Sequence, residues 1–208
     1  MKTADVIIVG SGASGLFNAL FLPQDYKVIV ITKKEVEESD SFLAQGGISA
    51  LKNPEDYDSY FEDTMKAGHY ENDKGAVEKM IKESPQIIQD LKDFGVRFDL
   101  KDGEIEFTRE GGHSTFRILH HEDLTGKEIT SHLYEEAKKR DNITIMENCT
   151  MIDIIEKDGE CKGIVYKDAD GNLDTIEAPD TVLATGGLGG LFKHSTNFRH
   201  LTADSLGI

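Results

Sequence analysis

The chain has 208 residues, 38% hydrophobic and 30% charged, enough to bury a core as one domain or as one domain with an inserted lobe. A formal charge of −16 argues against nucleic acid or an anionic membrane surface as partner, since either would repel it, and its plainest consequence is solubility. No apolar run reaches the length of a membrane span, and Cys149 and Cys161, in no C-x-x-C pair, are too few for a disulfide framework.

That cysteine usage fits a reducing compartment, with both thiols buried and inert. The first apolar run is only about five residues long and passes straight into glycines, unlike a signal peptide, so the cytoplasm is the expected location.

Asp5-Val-Ile-Ile-Val leads into Gly10-Ser11-Gly12-Ala13-Ser14-Gly15, then an apolar-periodic segment through Leu20, then a second β-branched run ending at Lys33. Strand, G-x-G-x-x-G turn, helix and strand spell a βαβ unit. Gly10 permits the tight turn, Gly12 lets the backbone approach a pyrophosphate, and Gly15 lets the helix pack against the strand. The phosphates then sit at the helix N-terminus. A glycine triplet also serves as a mere packing turn, but its position between strand and helix points to a dinucleotide cradle. Such folds place an acid on the ribose about twenty residues past the glycines. The strand tip here is Lys33, and the generic rule nominates Glu35 beyond it.

Residues 39–47 are too small and polar for a core element. Their run Ala44-Gln45-Gly46-Gly47 reads either as backbone offered to a flat ligand or as a flexible connection. A helix is expected over residues 57–68, with Phe61, Met65 and Ala67 among polar neighbours. A second starts at Asp73, with Ala76, Val77, Met80 and Ile81 on one face. Ser84 and Pro85 then restart it, serine as N-cap and proline at the first helical position. Ile87, Ile88, Leu91 and Phe94 give the next face, and Gly95 stops it.

Residues 98–107 alternate around Lys101-Asp102-Gly103-Glu104, a hairpin signal. The hairpin delivers Thr108-Arg109-Glu110-Gly111-Gly112-His113-Ser114, followed by Arg117-Ile118-Leu119-His120-His121. Arg109, Glu110, His113, Arg117 and His120 have the density of titratable groups expected of a site, with a solvated loop as the competing reading. The spacing matches no helical zinc pattern, so no metal is expected.

Thr125-Gly126-Lys127-Glu128 reads as a capping box opening a helix with Ile129, Leu133 and Ala137 on one face. Strands are expected at 143–146, 150–157, 163–167 and 175–178, the last two joined across Asp170-Gly171 in a β-meander crossing over a parallel sheet. The strand from Thr181 then runs straight into Ala184-Thr185-Gly186-Gly187 and brings a second glycine loop beside the first. A single nucleotide needs no second loop, whereas a long ligand such as FAD uses both. The fold class is α/β, a Rossmann-like FAD-binding domain with a parallel sheet, a crossover β-meander and helical insertions.

The order G-x-G-x-x-G, Ser41-Phe42-Leu43-Ala44-Gln45-Gly46-Gly47, the 108–114 run, Arg117 to His120 with Asp123-Leu124-Thr125-Gly126, and Ala184 to Gly187 carries a resemblance. Over essentially the whole chain it resembles the L-aspartate oxidases, in the flavoprotein family shared with succinate dehydrogenase and fumarate reductase. The resemblance implies a single FAD-binding domain over 1–208, in which 40–125 is an insertion carrying flavin-side and substrate-side loops. On this resemblance the family's capping domain is expected to lie outside 1–208. FAD lies with its pyrophosphate over Gly10 to Gly15 and its adenosine ribose near Lys33 rather than Glu35. Ser41 to Gly47 line the isoalloxazine, Thr150 and Met151 touch the adenine side, and Asp204 meets the flavin from the far end. Succinate dehydrogenases carry a flavin-linking histidine four residues before the alanine of the A-Q-G-G run. Asp40 stands there, so FAD is held non-covalently.

On the substrate side, the resemblance implies that Glu110 pairs with the substrate's amino group, selecting an amino acid over a bare dicarboxylate, with His113 and Arg109 beside it. The implied activity is oxidation of L-aspartate, or a related dicarboxylate, to iminoaspartate, the first step toward quinolinate in NAD biosynthesis. Oxygen or fumarate accepts the electrons, and quinolinate synthase is the implied partner. Family members continue past the position of Ile208 and draw further substrate-binding residues from there, so this chain alone is expected to bind FAD weakly and not to turn over. Two alternatives stand beside this reading: a fumarate or succinate oxidoreductase fragment, and a non-catalytic nucleotide-binding remnant.

Overall fold

The computed structural model describes residues 2–208. In chain order the elements are β1 (Lys2–Thr3), β2 (Val6–Val9), α1 (Ala13–Phe21), β3 (Val28–Ile31), the short α2 (Asp40–Leu43), β4 (Ile48–Ser49), α3 (Tyr57–Ala67) and α4 (Lys74–Asp93). There follow β5 (Leu100–Lys101), β6 (Glu104–Ile105), β7 (Phe107–Thr108), β8 (Ile118–Leu119), α5 (Thr125–Lys138), β9 (Ile143–Met146), β10 (Thr150–Lys157), β11 (Glu160–Lys167), β12 (Leu173–Glu177) and β13 (Asp180–Leu183). The chain divides into two compact units, one made of the chain up to Ala44 with Ile129–Ile208, the other of Gln45–Glu128. Among the described residues, no helix is long and apolar enough to cross a membrane.

The first unit is built on a parallel sheet of order β13-β2-β3-β9. Every residue of β2 and β3 is buried, as expected of near-continuous apolar strands covered on both faces. Their side chains alternate accordingly. Val6, Ile8, Val28 and Val30 pack with Ala19 of α1. Ile7, Val9, Ile29 and Ile31 pack with Met151, Ile164, Tyr166 and Ile176 of the meander. Each such fully buried aliphatic contributes about 1.5–3 kcal/mol of burial free energy, which makes these two layers the core of the unit. The meander β10-β11-β12 is antiparallel, and β12 pairs in parallel with β1. Its middle strand begins at Glu160 rather than 163, because Asp158 and Gly159, at φ 56° and 80°, form a tight turn that pairs Glu160 with Lys157. Helix α1 ends at Phe21 because Pro23 drives Leu22 into an extended conformation, ψ 149°. Cys149 is buried, and burial pushes its thiol up, whereas Cys161 is only half-buried, contrary to expectation.

In the second unit α3 and α4 pack through Tyr60, Met65, Val77 and Ile81. Here α4 runs unbroken through Pro85, where the sequence predicted a restart. The carbonyl that Pro85 leaves without an amide partner is that of Ile81, four residues back, and the Ser84 hydroxyl donates to it at 2.7 Å. Ser84 therefore mends the helix instead of capping a new one. The buried stripe is Val77, Ile81, Ser84, Ile88 and Leu91, which leaves Ala76 and Met80 exposed. Around the expected capping box, hydrogen bonds run to other partners. The Glu128 amide bonds the Leu124 carbonyl, the Thr125 hydroxyl accepts from the His121 amide, and the Glu128 carboxylate takes Arg97. Strands β4, β8 and β7 form a small antiparallel sheet, and β5 and β6 form the predicted hairpin, with Asp102 and Gly103 at φ 54° and 86°.

Candidate functional site

In the first unit, the loops leaving the carboxyl ends of β2, β3 and β13 line one cleft of about 400 Å³. That is where open α/β sheets bind ligands, and the volume is in the range of small-molecule sites. Gly10 has φ +115°, and a Cβ there would lie 2.1 Å from the Ala184 carbonyl oxygen, where the first glycine loop touches the second. A Cβ on Gly15 would lie 2.0 Å from the Gly10 carbonyl oxygen, so this glycine serves helix packing and lies beneath the cleft rather than on it. Gly12 caps α1 without a side chain, no acid sits in the first turn, and the Ala13 amide donates to Ser41 Oγ at 3.0 Å. This is a helix terminus left open toward the cleft and positive by its peptide dipoles, suited to an anion.

Lys33 stands at the tip of β3 and lines the cleft, whereas Glu35 is exposed and does not. Its ammonium donates to the His200 carbonyl at 3.0 Å, to Thr202 Oγ1 at 2.9 Å and to Asp204 Oδ2 at 2.8 Å. Burial raises the Asp204 carboxyl, but the hydrogen bonds from Lys33 and Thr202 bring it below its ordinary value. Lys33 and Asp204, expected at opposite ends of the ligand, are therefore neighbours. The reason is that the chain after Gly187 doubles back. The Ala203 amide bonds the Gly187 carbonyl at 3.1 Å, the Gly190 amide bonds the Leu201 carbonyl at 2.8 Å, and the Thr185 and Ser205 hydroxyls meet at 2.6 Å.

The cleft gathers Gly10, Ser11, Gly12, Ser14, Lys33, Asp40, Ser41, Met151, Ala184, Thr185, Gly186, Gly187 and Asp204. Asp40 is also tied to the returning segment, accepting from the Phe198 amide at 3.1 Å and from the Asn197 side chain. Phe42 and Leu43 of α2, Ala44 after it and Thr150 at the start of β10 are not among its lining residues. Sequence reasoning missed Thr32, Cys149, His200 and Thr202, which do line it. Of these, Thr202 had a signal in the sequence, two positions before Asp204.

The second unit carries a pocket lined by Gln45, Gly46, Thr108, Glu110, His120, Glu122 and Asp123. The Gly47 amide donates to Glu110 Oε1 at 3.0 Å, which fixes that carboxylate. Gly47 itself answers to packing, since a Cβ would lie 2.3 Å from Ile118 Cγ2 and from the Leu119 carbonyl oxygen. Arg109 and Glu110 are exposed, and the Arg109 guanidinium lies 5.8 Å from the Phe116 ring centre.

Arg117 is fully buried, and all five of its N–H donors have acceptors. Nε and Nη2 reach Asp56 at 2.8 Å each, Nη2 also reaches Ser59 at 2.7 Å, and Nη1 reaches Asp63 at 2.6 Å and His113 Nδ1 at 3.0 Å. A guanidinium cannot accept, so His113 Nδ1 must, which leaves the His113 ring proton on Nε2. The hydrogen bond from Arg117 first, joined by those from Ser59 and Thr115, lowers the Asp56 carboxyl to about 2 against the burial that would raise it. Asp63 also accepts the Ser114 amide at 2.7 Å and its hydroxyl at 2.8 Å. The loop bearing Arg109, Glu110 and His113 is thus fastened at its far end to α3.

A parallel sheet with a glycine-turn cradle at a helix N-terminus, facing a second glycine loop across one cleft, defines a nucleotide-binding α/β domain of the Rossmann type. More narrowly, residues 5–208 match the family described as FAD binding domain, and the chain belongs to it, with FAD as the cofactor. The chain is 44% identical over 207 residues to an L-aspartate oxidase of Clostridium perfringens, covering 100% of this chain and 47% of that one. It is 45% identical over 203 residues to an L-aspartate oxidase of Clostridium acetobutylicum, covering 97% and 46%. The chain thus spans about half the length of the curated relatives it matches. Among solved structures, an E. coli quinol fumarate reductase superposes with a TM-score of 0.94 at 28% identity, covering 100% of this chain and 37% of that one. The Mycobacterium smegmatis Sdh1 complex in the apo form gives 0.89 at 31%, covering 98% and 37%.

Proposed function

We propose that this chain is the FAD-binding part of an L-aspartate oxidase. Bound FAD would supply the hydride acceptor for oxidation of L-aspartate to iminoaspartate. The fit of FAD rests on the cleft: an open helix N-terminus over Gly12 for the pyrophosphate, backbone from both glycine loops, and Lys33 at the tip of β3 for the ribose end. With Asp40 in the place of the linking histidine, the flavin is held without a covalent bond. The observation that carries the choice of substrate is the pocket of the second unit, where Glu110, Glu122 and Asp123 present three carboxylates. Such a surface attracts an ammonium and repels a bare dicarboxylate, which favours an amino acid over succinate.

Within this reading Glu110 holds the substrate's amino group, His113 presents its Nε2 proton, and Arg109 supplies a cation for a carboxylate. Oxygen or fumarate takes the electrons. Quinolinate synthase, as consumer of the product, and the cytoplasm, as location, complete it. The test uses the full-length oxidase of which this chain is proposed to be the FAD-binding part: load it with FAD, mix it with L-aspartate or with succinate under anaerobic conditions, and follow the flavin absorbance. Bleaching by L-aspartate and not by succinate is expected. Bleaching by succinate alone would move the chain to the fumarate and succinate group, and failure to take up FAD at all would leave a non-catalytic remnant.

A further inference from the structure

His120 and Asp99 form an arrangement that the amine-selecting role of Glu110 leaves unused. His120 follows β8 directly and lines the acidic pocket. Its Nδ1 lies 3.2 Å from Asp99 Oδ2, and its Nε2 is buried with no hydrogen-bond partner. Asp99 is itself held in place. Its carboxylate accepts the Glu122 amide at 2.8 Å, and its own amide donates to the His120 carbonyl at 2.8 Å. A carboxylate beside Nδ1 favours the proton on that nitrogen, leaving Nε2 as the one to accept another. A buried nitrogen with no partner is unfavourable, and a ligand group entering the pocket relieves it.

The surroundings suit a positive charge. Glu110, Glu122 and Asp123 share the pocket with His120, and His121 lies on the far side of Asp99, its Nδ1 3.2 Å from Oδ1 and its Nε2 3.8 Å from Glu128. The Arg97 guanidinium is engaged with Glu128 at 2.9 Å.

We propose that His120 Nε2 takes a proton from the ammonium group of the amino-acid substrate, with Asp99 as the positioning residue. This rests on the amino-acid oxidase reading above and adds the step that reading needs. One N–H bond of the ammonium breaks, its electron pair stays on nitrogen as a lone pair, and a new N–H bond forms at Nε2. Asp99 and the pocket carboxylates then face the resulting imidazolium, and no electrons are exchanged. The free amine is the form that can be oxidised, because an ammonium has no lone pair with which to form the C=N bond.

The test compares the FAD-loaded full-length oxidase containing this chain with its His120→Gln and Asp99→Asn variants, measuring kcat/KM for L-aspartate against pH and fumarate reduction in the same preparations. Loss of a proton acceptor of this kind costs about 10²–10⁴ in rate, and H120Q is expected to fall in that range at pH 7. Its rate should climb by about tenfold per pH unit toward the amino-group range, where solution supplies free amine. D99N should shift the same way by less. Fumarate carries no ammonium, so its reduction should suffer at least about ten times less, and that activity with the flavin content reports the fold of each variant. A wild-type-like pH profile in H120Q, or equal losses on aspartate and fumarate, overturns the assignment of His120 alone. A wild-type enzyme that leaves L-aspartate unoxidised overturns the substrate reading and this inference together.

Discussion

Gly12 separates the N-terminus of α1 from the cleft by nothing but backbone, and a Cβ there would meet only Ser41 Oγ, at 2.9 Å. A larger side chain has room on the protein side, because that hydroxyl can swing away, but it projects into the space assigned to the pyrophosphate. Gly12→Val is therefore expected to leave the thermal midpoint within a few degrees of wild type while weakening FAD binding at least about tenfold, or ~1.4 kcal/mol. Flavin absorbance per mole of purified chain checks it, and retained stoichiometric flavin would remove Gly12 from the cradle. Glu110→Gln keeps an acceptor for the Gly47 amide but deletes the charge. In the FAD-loaded enzyme it should reduce L-aspartate oxidation by about 1.5–3 kcal/mol of lost charge-assisted bonding, roughly 10–100-fold, and fumarate reduction far less. Steady-state rates on both substrates decide it. The glycines could be read in the sequence because their constraint is local, set by φ and by the strand on either side. Lys33 with Asp204 could not, since 171 positions separate them and only the returning loop brings them within 2.8 Å.

At the scale of elements, local rules placed most strands and helices and failed where one side chain had two uses. Ser84 before Pro85 reads as a cap and proline pair, yet the hydroxyl serves the Ile81 carbonyl and accepts the Leu51 amide at 2.8 Å, so tertiary contact overrides the break. Thr125 and Glu128 read as a capping box, yet Arg97 and His121 claim their side chains. Leu51 and Arg97, two of the rival partners, lie more than thirty positions away, beyond the reach of periodicity and spacing. Ser84→Ala should then remove two hydrogen bonds at once and leave a buried amide and a carbonyl unpaired, costing about 1–3 kcal/mol for each group left unsatisfied. A urea midpoint close to wild type would show that water replaces the hydroxyl at both places. Arg117→Met strands Asp56 and Asp63 without their counter-charge in the packed space beside α3, and about 3–5 kcal/mol of stability should go with it. Urea unfolding at pH 7 measures this. The same variant should recover part of the loss as the pH falls and the two acids take up protons.

At the scale of the whole molecule, charge sets the response to acid. The chain carries −16 at pH 7 and has an isoelectric point near 4.8, so lowering the pH from neutrality first relieves self-repulsion. A second influence acts in the opposite direction lower down. Asp56 in one unit is lowered from 3.8 to about 2 by Arg117, and Asp204 in the other is lowered with Lys33 as its partner. A carboxylate whose folded pKa lies below its unfolded value binds fewer protons when folded. Its stabilisation is complete above the unfolded value and is lost as the pH falls toward the folded one. For Asp56 the window runs from about pH 4 down to about pH 2, and the stake is about 2 kcal/mol. The two influences together predict a urea midpoint that rises modestly from pH 7 to about pH 5 and then drops steeply below pH 4. Added salt should raise the midpoint at pH 7 and change it little near pH 5, where the net charge has vanished. Arg117→Met tests the assignment: with the counter-charge gone, the steep limb below pH 4 should flatten, whereas an unchanged limb would place the acid sensitivity in the Lys33 and Asp204 pair instead.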